Sequence, residues 1–198
     1  MLSMKLVETQ YALVMDDDFL VTTNTNISLL MEILETTDVS VVGGTADGHD
    51  GKFEGAFRIM QNQDGAHLEH YPEVFYEQIK GKKCYVSDVV KNVFLAKRED
   101  VIAAGSWNAE RPYFEHTDLF LRLKKANTRT AFCPEVVFKG NEKHTSDLKT
   151  MRMKEFDYYN TLLRKNWGII HNYKCGVKQA KFEDYLSSNS CKLPGVIF

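Results

Sequence analysis

The stretch Tyr11-Ala12-Leu13-Val14-Met15-Asp16-Asp17-Asp18 decides how this chain is interpreted. A short apolar run that ends in carboxylates indicates a buried strand, of the kind found in parallel sheets. Helical spacing follows from Ile27, and Asn26 offers an N-cap. A second strand is predicted over residues 39–44. Strand, helix and strand form a βαβ unit with a right-handed crossover, so we expect an α/β fold.

The rest of the chain continues the alternation of strands and helices. A hairpin is predicted at Asp64-Gly65, and helices over 98–104, 114–126 and 148–167. Two strands are expected on either side of Pro134. We assign residues 1–170 to one domain and residues 171–198 to a polar C-terminal tail.

The composition limits the classes of partner. Among 198 residues, 25 Lys and Arg face 27 Asp and Glu, for a formal net charge of -2. Nucleic-acid binding by counterion release needs a concentrated excess of cations, so we expect no nucleic-acid partner. No run of 18 apolar residues is present, so the sequence predicts no transmembrane segment.

The cluster Asp16-Asp17-Asp18 predicts a cation site. Adjacent carboxylates repel one another unless a cation lies between them. Open α/β sheets bind ligands at the carboxyl ends of their strands, where Asp16 and Asp18 would offer oxygen ligands to Mn²⁺ or Mg²⁺. A solvated acidic turn is the simpler alternative. Two enzyme classes carry such acids after a strand: phosphatases with an Asp nucleophile, which Leu20 disfavours, and nucleotide-sugar glycosyltransferases of the GT-A fold.

The segment that begins Glu115-His116-Thr117-Asp118 predicts the first turn of a helix, and this turn carries candidate catalytic side chains. Acids in a first turn also act as simple capping groups. An inverting sugar transfer needs a base for the acceptor hydroxyl, and His116 or Asp118 fits that role about equally. We expect Glu115 to bind or orient the acceptor. The segment looks like the Glu-Asp-x-Asp-Leu stretch of many GT-A enzymes, with His116 in place of an Asp.

His144, which follows a predicted strand, is the expected third metal ligand. An isolated histidine usually has no such role. In metal-dependent GT-A enzymes, however, a late histidine often completes the coordination begun by the acids, and Mn²⁺ accepts imidazole as well as oxygen.

Several stretches resemble the animal β-1,4-N-acetylgalactosaminyltransferases that build gangliosides. Residues 11–19 are similar to their "vDDDF" strand, and 39–44 to their "lVGG" strand. Residues 84–97 resemble their "C-x-V-x-D-x-V-x-N-x-F-L-A-R" stretch. These enzymes also have a histidine at the place of His116, and Lys143-His144 corresponds to their late "DH". The similarity covers about residues 11–167.

The resemblance implies a GT-A, Rossmann-like mixed sheet flanked by helices, of the nucleotide-diphospho-sugar transferase type. It also implies a UDP-sugar donor, which is UDP-GalNAc in the named enzymes, with Mn²⁺ or Mg²⁺, a glycan or glycolipid acceptor, and a Golgi-lumenal, membrane-associated setting. Asp17, Asp88 and Asn92 would then contact the donor together with Asp16. A Cys84–Cys133 disulfide follows from the same match.

One departure from that family is expected to matter. GT-A domains place two or three strands before the acidic strand, and this chain has only ten residues before that strand begins at Tyr11, so we expect an N-terminally incomplete domain. An open sheet edge would favour a homo-oligomer. The alternatives to an active transferase are a non-catalytic carbohydrate- or nucleotide-binding remnant and, with less support, the phosphatase.

Overall fold

A computed structural model describes residues 4–46, 56–62, 65–70, 76–108, 113–140 and 146–174. After a 3-10 turn at Met4–Leu6, the helices of this part are α1 (Ile27–Thr36), α2 (Arg98–Ala103), α3 (Glu115–Lys125) and α4 (Ser146–Trp167). Its strands are β1 (Tyr11–Met15), β2 (Phe19–Leu20), β3 (Val39–Ala46), β4 (Ala56–Asn62), β5 (Gly65–His70), β6 (Tyr85–Ser87), β7 (Val89–Val90), β8 (Val93–Lys97), β9 (Arg129–Gly140) and β10 (Ile169–Lys174).

The larger sheet is mixed and has the order β1-β8-β3-β9-β2, with β6 also paired to β9. Strand β3 runs parallel to β9, whereas β8 runs antiparallel to both β1 and β3. The expected α/β class with a mixed sheet and helices is therefore confirmed. The expectation of parallel pairing for β1 is wrong: β1 and β3 share a direction, but β8, which comes later in the chain, lies between them.

A smaller sheet has the order β10-β5-β4-β7. The predicted hairpin is confirmed, because β4 and β5 pair antiparallel from Arg58↔Glu69 to Asn62↔Gly65. Strand β10 pairs parallel with β5 and continues to Lys174, beyond the expected domain limit at residue 170.

Strand β9 is continuous, although Pro134 suggested two strands. Its pairing with β3 shifts between Gly44↔Cys133 and Thr45↔Val137, so extra residues bulge out around the proline. Proline has no N–H to donate, and a bulge is a place where a strand tolerates it.

Two layers of apolar side chains cover the larger sheet. On one side Leu30 and Ile33 of α1 pack against the sheet, and on the other Leu119 and Phe120 of α3 do so. Gly44 of β3 allows close approach here, since an added Cβ would lie 2.5 Å from the backbone oxygen of Val136. The N-terminus of α1 is capped as expected, because the Asn26 side chain accepts from the Leu29 N–H.

Strand β1 is an edge strand in the described part of the sheet. Leu13 and Met15, each 38% exposed, lie at this edge. An apolar edge of this kind favours association, and the homo-oligomer stays a prediction. None of the helices described combines the length and hydropathy that a bilayer crossing requires.

The Cys84–Cys133 disulfide is formed, with the two Cα atoms 4.2 Å apart. It joins the residue before β6 to the middle of β9, and the two strands also pair through Tyr85↔Phe132. The pairing implied by the resemblance is therefore confirmed. Cys175 and Cys191 lie outside the described residues.

Candidate active site

The three acids form a turn that is held at both ends. Asp16 donates its N–H to the backbone oxygen of Asn92 at 3.0 Å, and its own oxygen accepts from the N–H of Phe19 at 3.2 Å. Phe19 pairs with Gly140 at the end of β9. Asp16 and Asp17 are exposed and Asp18 is half-buried. The turn thus presents carboxylates to solvent at one end of the sheet.

The described residues fit a cation only in part. Asp16 and Asp18 supply hard oxygen donors of the type that Mn²⁺ and Mg²⁺ bind. Within the described ranges, no group of three or more His, Cys, Asp or Glu side chains is placed to hold a metal. The predicted third ligand, His144, lies outside them.

The start of α3 has an unusual backbone conformation. Phe114, at its N-cap, adopts the left-handed region with φ 58° and ψ 14°. A bulky residue rarely adopts it, because the side chain crowds the backbone there. Glu115 follows as the first helical residue and is half-buried. This turn fixes the direction in which α3 leaves the loop.

His116 is held by one hydrogen bond and two aromatic rings. Its Nε2 donates to the backbone oxygen of Val90 at 2.7 Å, since a carbonyl can only accept. Its ring lies 5.7 Å from that of Phe94 and 4.8 Å from that of Phe120. Burial lowers the pKa of His116 to about 4, although the hydrogen bond to Val90 raises it in part. The imidazole is therefore neutral near pH 7.

The second ring nitrogen of His116, Nδ1, is shielded from solvent and has no hydrogen-bond partner among the described residues. The residue as a whole is half-buried. A solvent-borne hydroxyl cannot reach Nδ1 in this arrangement, so the geometry suits a positioning role better than direct proton transfer.

Asp118 is almost completely buried and makes its contacts within the protein. Its Oδ2 accepts from Nε of Arg122 at 3.0 Å, and its Oδ1 accepts from the indole Nε1 of Trp167 at 2.8 Å. Arg122 also donates to the backbone oxygens of Ala104 and Ser106. Asp118 thus connects α3, α4 and the loop after α2. The i,i+4 spacing of Asp118 and Arg122 is a signal that could have revealed this pair.

Asp88 is likewise a junction inside the fold. Its Oδ2 accepts from the N–H of Ile59 at 2.8 Å and from Nε of Arg58 at 3.2 Å. Its Oδ1 accepts from Nζ of Lys124 at 2.5 Å. These contacts join Asp88 to β4 and α3, and nothing in the sequence pattern indicated them. Its predicted role in donor binding remains a prediction.

The segment 90–92 connects the two candidate groups. The backbone oxygen of Val90 accepts from His116, and the backbone oxygen of Asn92, two residues later, accepts from Asp16. The segment thus links the acidic turn to His116 in the first turn of α3, while the carboxylates of Asp88 and Asp118 accept hydrogen bonds from other parts of the fold.

Comparison with curated proteins finds several relatives. The chain is 33% identical to β-1,4 N-acetylgalactosaminyltransferase 2 of Mus musculus over 104 residues, which is 52% of the chain and 20% of that protein. It is 29% identical to β-1,4 N-acetylgalactosaminyltransferase 1 of Homo sapiens over 153 residues, or 75% of the chain and 28% of that protein. The chain is homologous to part of these transferases.

A third relative, β-1,4 N-acetylgalactosaminyltransferase 1 of Rattus norvegicus, is 28% identical over 141 residues, 69% of the chain and 26% of that protein. The chain thus spans about a quarter of the length of these N-acetylgalactosaminyltransferases. No family model matches it. Each of these relatives is named as an N-acetylgalactosaminyltransferase.

Proposed function

We propose that this chain carries part of the active site of a metal-dependent, GT-A-type glycosyltransferase. The reaction would be an inverting transfer of a hexosamine, most simply GalNAc, from a UDP-sugar to a hydroxyl of a glycan or glycolipid acceptor. The observation that carries the proposal is the segment 90–92, whose two carbonyl oxygens hold the acidic turn at Asp16 and His116 of α3.

We assign the donor side to the acidic turn. Asp16 and Asp18, with His144, would hold Mn²⁺ or Mg²⁺, and Asp17 and Asn92 would contact the nucleotide. When bound, the ion would neutralise charge on the departing diphosphate. The exposure of Asp16 and Asp17 supports this assignment, because a nucleotide must reach them from solvent.

The acceptor side is assigned to the start of α3. The sequence places His116 and Asp118 first as bases, but Asp118 is almost completely buried and Nδ1 of His116 is shielded from solvent. Glu115 is half-buried at the first position of the helix. We therefore assign the proton transfer to Glu115, with His116 and Asp118 as positioning residues.

The disulfide supports a lumenal setting. Stable disulfides such as Cys84–Cys133 belong to oxidising compartments, in agreement with a Golgi location.

Calorimetry with UDP tests the proposal. We expect UDP to bind in MnCl₂ and to lose its binding in EDTA, and UDP-GalNAc to be hydrolysed slowly. Metal-dependent binding without hydrolysis would favour a non-catalytic binding domain. Equal binding of UDP in both buffers, or none in either, would rule out the proposed donor site. Glu115→Gln should lower hydrolysis or transfer while UDP affinity is kept.

A further inference from the structure

Gly43 lies inside β3, at a point where a side chain would collide with the segment 90–92. An added Cβ at Gly43 would lie 2.6 Å from the Cβ of Val90, and 2.8 Å and 3.0 Å from its two methyl carbons. Gly43 and Val90 are both buried. Glycine in the interior of a strand weakens the strand and often marks such a close approach. The Val90 side chain therefore packs directly against the backbone of β3.

A change of side-chain rotamer could not relieve this collision. The Cβ of Val90 is bonded to its own Cα, so it moves only when the backbone at Val90 moves. Gly43→Ala would have to open the distance between the two Cβ atoms from 2.6 Å to 3.4 Å, where ordinary van der Waals contact begins. The substitution must therefore displace the main chain at one of the two positions.

Strand β3 is the less movable of the two partners. Gly43 pairs with Phe94 of β8 on one side and with Phe132 of β9 on the other. Val90 belongs instead to β7, a strand of two residues that pairs with β4. A shift of Gly43 would disturb two ladders of the larger sheet, so we expect Gly43→Ala to move the segment 90–92.

A shift at Val90 would reach both groups that the segment holds. The Val90 oxygen accepts from Nε2 of His116 at 2.7 Å, and the Asn92 oxygen holds the acidic turn. Lys91 lies between them, and its oxygen accepts from the N–H of Val93, which makes the connection a tight turn. Hydrogen bonds from N–H to oxygen form over about 2.7–3.2 Å, so a displacement of several tenths of an ångström changes their strength.

Gly44, the next residue of β3, faces the other layer of the core. An added Cβ there would lie 2.5 Å from the backbone oxygen of Val136 and 2.7 Å from the ring of Phe138. Val136 and Phe138 belong to the layer covered by α1, whereas Val90 belongs to the layer covered by α3. Successive residues of a strand point to opposite faces, so the two glycines separate a general loss of core packing from an effect on the segment 90–92.

We propose that Gly43 is a positioning residue of the candidate site. Its missing side chain sets the position of the segment 90–92, and thereby of His116 and of the acidic turn. The effect of Gly43 on donor binding rests on the proposed function, because the acidic turn is the assigned donor side. Its effect on His116 is a property of the fold and does not depend on the reaction.

The imidazole N–H signal of His116 in proton–nitrogen NMR spectra of the whole chain, with calorimetry of UDP in MnCl₂, tests this inference. The signal is assigned by its absence in His116→Phe. We expect Gly43→Ala to shift or remove it and to weaken UDP binding by up to about tenfold, the equivalent of one hydrogen bond. Gly44→Ala is the matched control. It should lower the free energy of unfolding but leave the signal and the UDP affinity as in the wild type.

Removal of the opposing atom should reverse the effect. Val90→Gly removes the Cβ, so the double variant Gly43→Ala, Val90→Gly should show the His116 signal where Val90→Gly alone shows it. Val90→Ala removes only the two methyl carbons and keeps the Cβ, so Gly43→Ala, Val90→Ala should retain the altered signal. If Gly43→Ala alone does not fold, only the double variant that lacks the Val90 Cβ should fold. Equal behaviour of the two double variants would contradict the inference.

Other results would also overturn it. These are an unchanged His116 signal in Gly43→Ala, an equal change in Gly44→Ala, and an altered signal in a protein whose UDP affinity stays that of the wild type. The wild type separates the two proposals. If it binds UDP with Mn²⁺ and Gly43→Ala behaves as it does, the role of Gly43 alone fails. If it does not bind UDP while Gly43→Ala alters the signal, the transferase proposal fails and the positioning of His116 by Gly43 remains.

Discussion

Phe19, one residue after Asp18, pairs with Gly140, four residues before His144, in the antiparallel ladder of β2 and β9. The chain therefore returns to the acidic turn shortly before the histidine that the sequence proposes as a metal ligand. Four residues span at most about 14 Å. The pairing makes a shared cation site a specific and testable idea.

Manganese should raise the melting temperature of the wild type through Asp16 and Asp18. At a metal concentration about 100 times the dissociation constant, the gain in unfolding free energy is about 2.7 kcal/mol. Asp16→Asn, Asp18→Asn and His144→Ala should each remove most of that gain in differential scanning fluorimetry. Glu35→Gln, at an exposed site on α1, is the control and should respond as the wild type does. Equal responses from all variants would contradict the metal assignment.

His116 should make the stability of the protein depend on pH. Its pKa is lowered from 6.5 to about 4 in the folded protein, so the unfolded chain binds more protons between these values. The contribution of the neutral imidazole to the free energy of unfolding is present in full above pH 6.5 and is lost as the pH falls toward 4. The loss amounts to at most about 3 kcal/mol.

The pH effect can be isolated by comparison with His116→Phe, which keeps an aromatic ring beside Phe94 and Phe120. Urea titrations from pH 4 to 7.5 should show that the free energy of unfolding depends less on pH in this variant than in the wild type. Carboxylates titrate in both proteins and cancel in the difference. Parallel curves would show that the imidazole does not carry the effect.

Removal of the Asp118 charge should destabilise the fold. Asp118→Asn leaves Arg122 without its buried carboxylate, and loss of one member of a buried ion pair costs roughly 3–5 kcal/mol. The measurement is the free energy of unfolding in urea. Glu135→Gln breaks the exposed Lys83–Glu135 pair and serves as the matched control, with no measurable change expected. A similar result for both variants would deny Asp118 a structural role.

The Cys84–Cys133 bridge should contribute substantially to stability. It closes a loop with a sequence separation of 49 residues, for which loop entropy alone gives about 4 kcal/mol. The double variant Cys84→Ser, Cys133→Ser should unfold at a correspondingly lower urea concentration. Dithiothreitol should bring the wild type toward the variant and leave the variant unchanged. A dithiothreitol effect of equal size on both would point to other cysteines.

Local signals in the sequence predicted the fold well where neighbours in the chain decide it. Asn26 caps α1 as expected, and Asp64-Gly65 indicated the hairpin of β4 and β5. The position of β8 between β1 and β3 was not predictable, because the pairing of Leu13 with Leu95 depends on residues far apart in the chain. Hydrophobic pattern marks a strand but does not select its partner.

For the candidate site, the sequence indicated which residue types carry the chemistry but not how each is held. His116 and Asp118 look equivalent as bases in the sequence. The structure buries Asp118 and shields Nδ1 of His116, and it holds the two side chains through partners such as Trp167 and Val90. These partners are a backbone oxygen and an indole from a distant helix, which no local motif can encode.

The link between the acidic turn and α3 passes through the main-chain oxygens of Val90 and Asn92. Alanine substitutions at these two positions would not reveal this link, because alanine keeps the same carbonyl groups. Deletion of Lys91 would shift one anchor relative to the other and uncouple the two halves of the site. The coupling therefore depends on the spacing of the two carbonyl groups along the backbone. Substitution of the side chains at these positions would leave it intact.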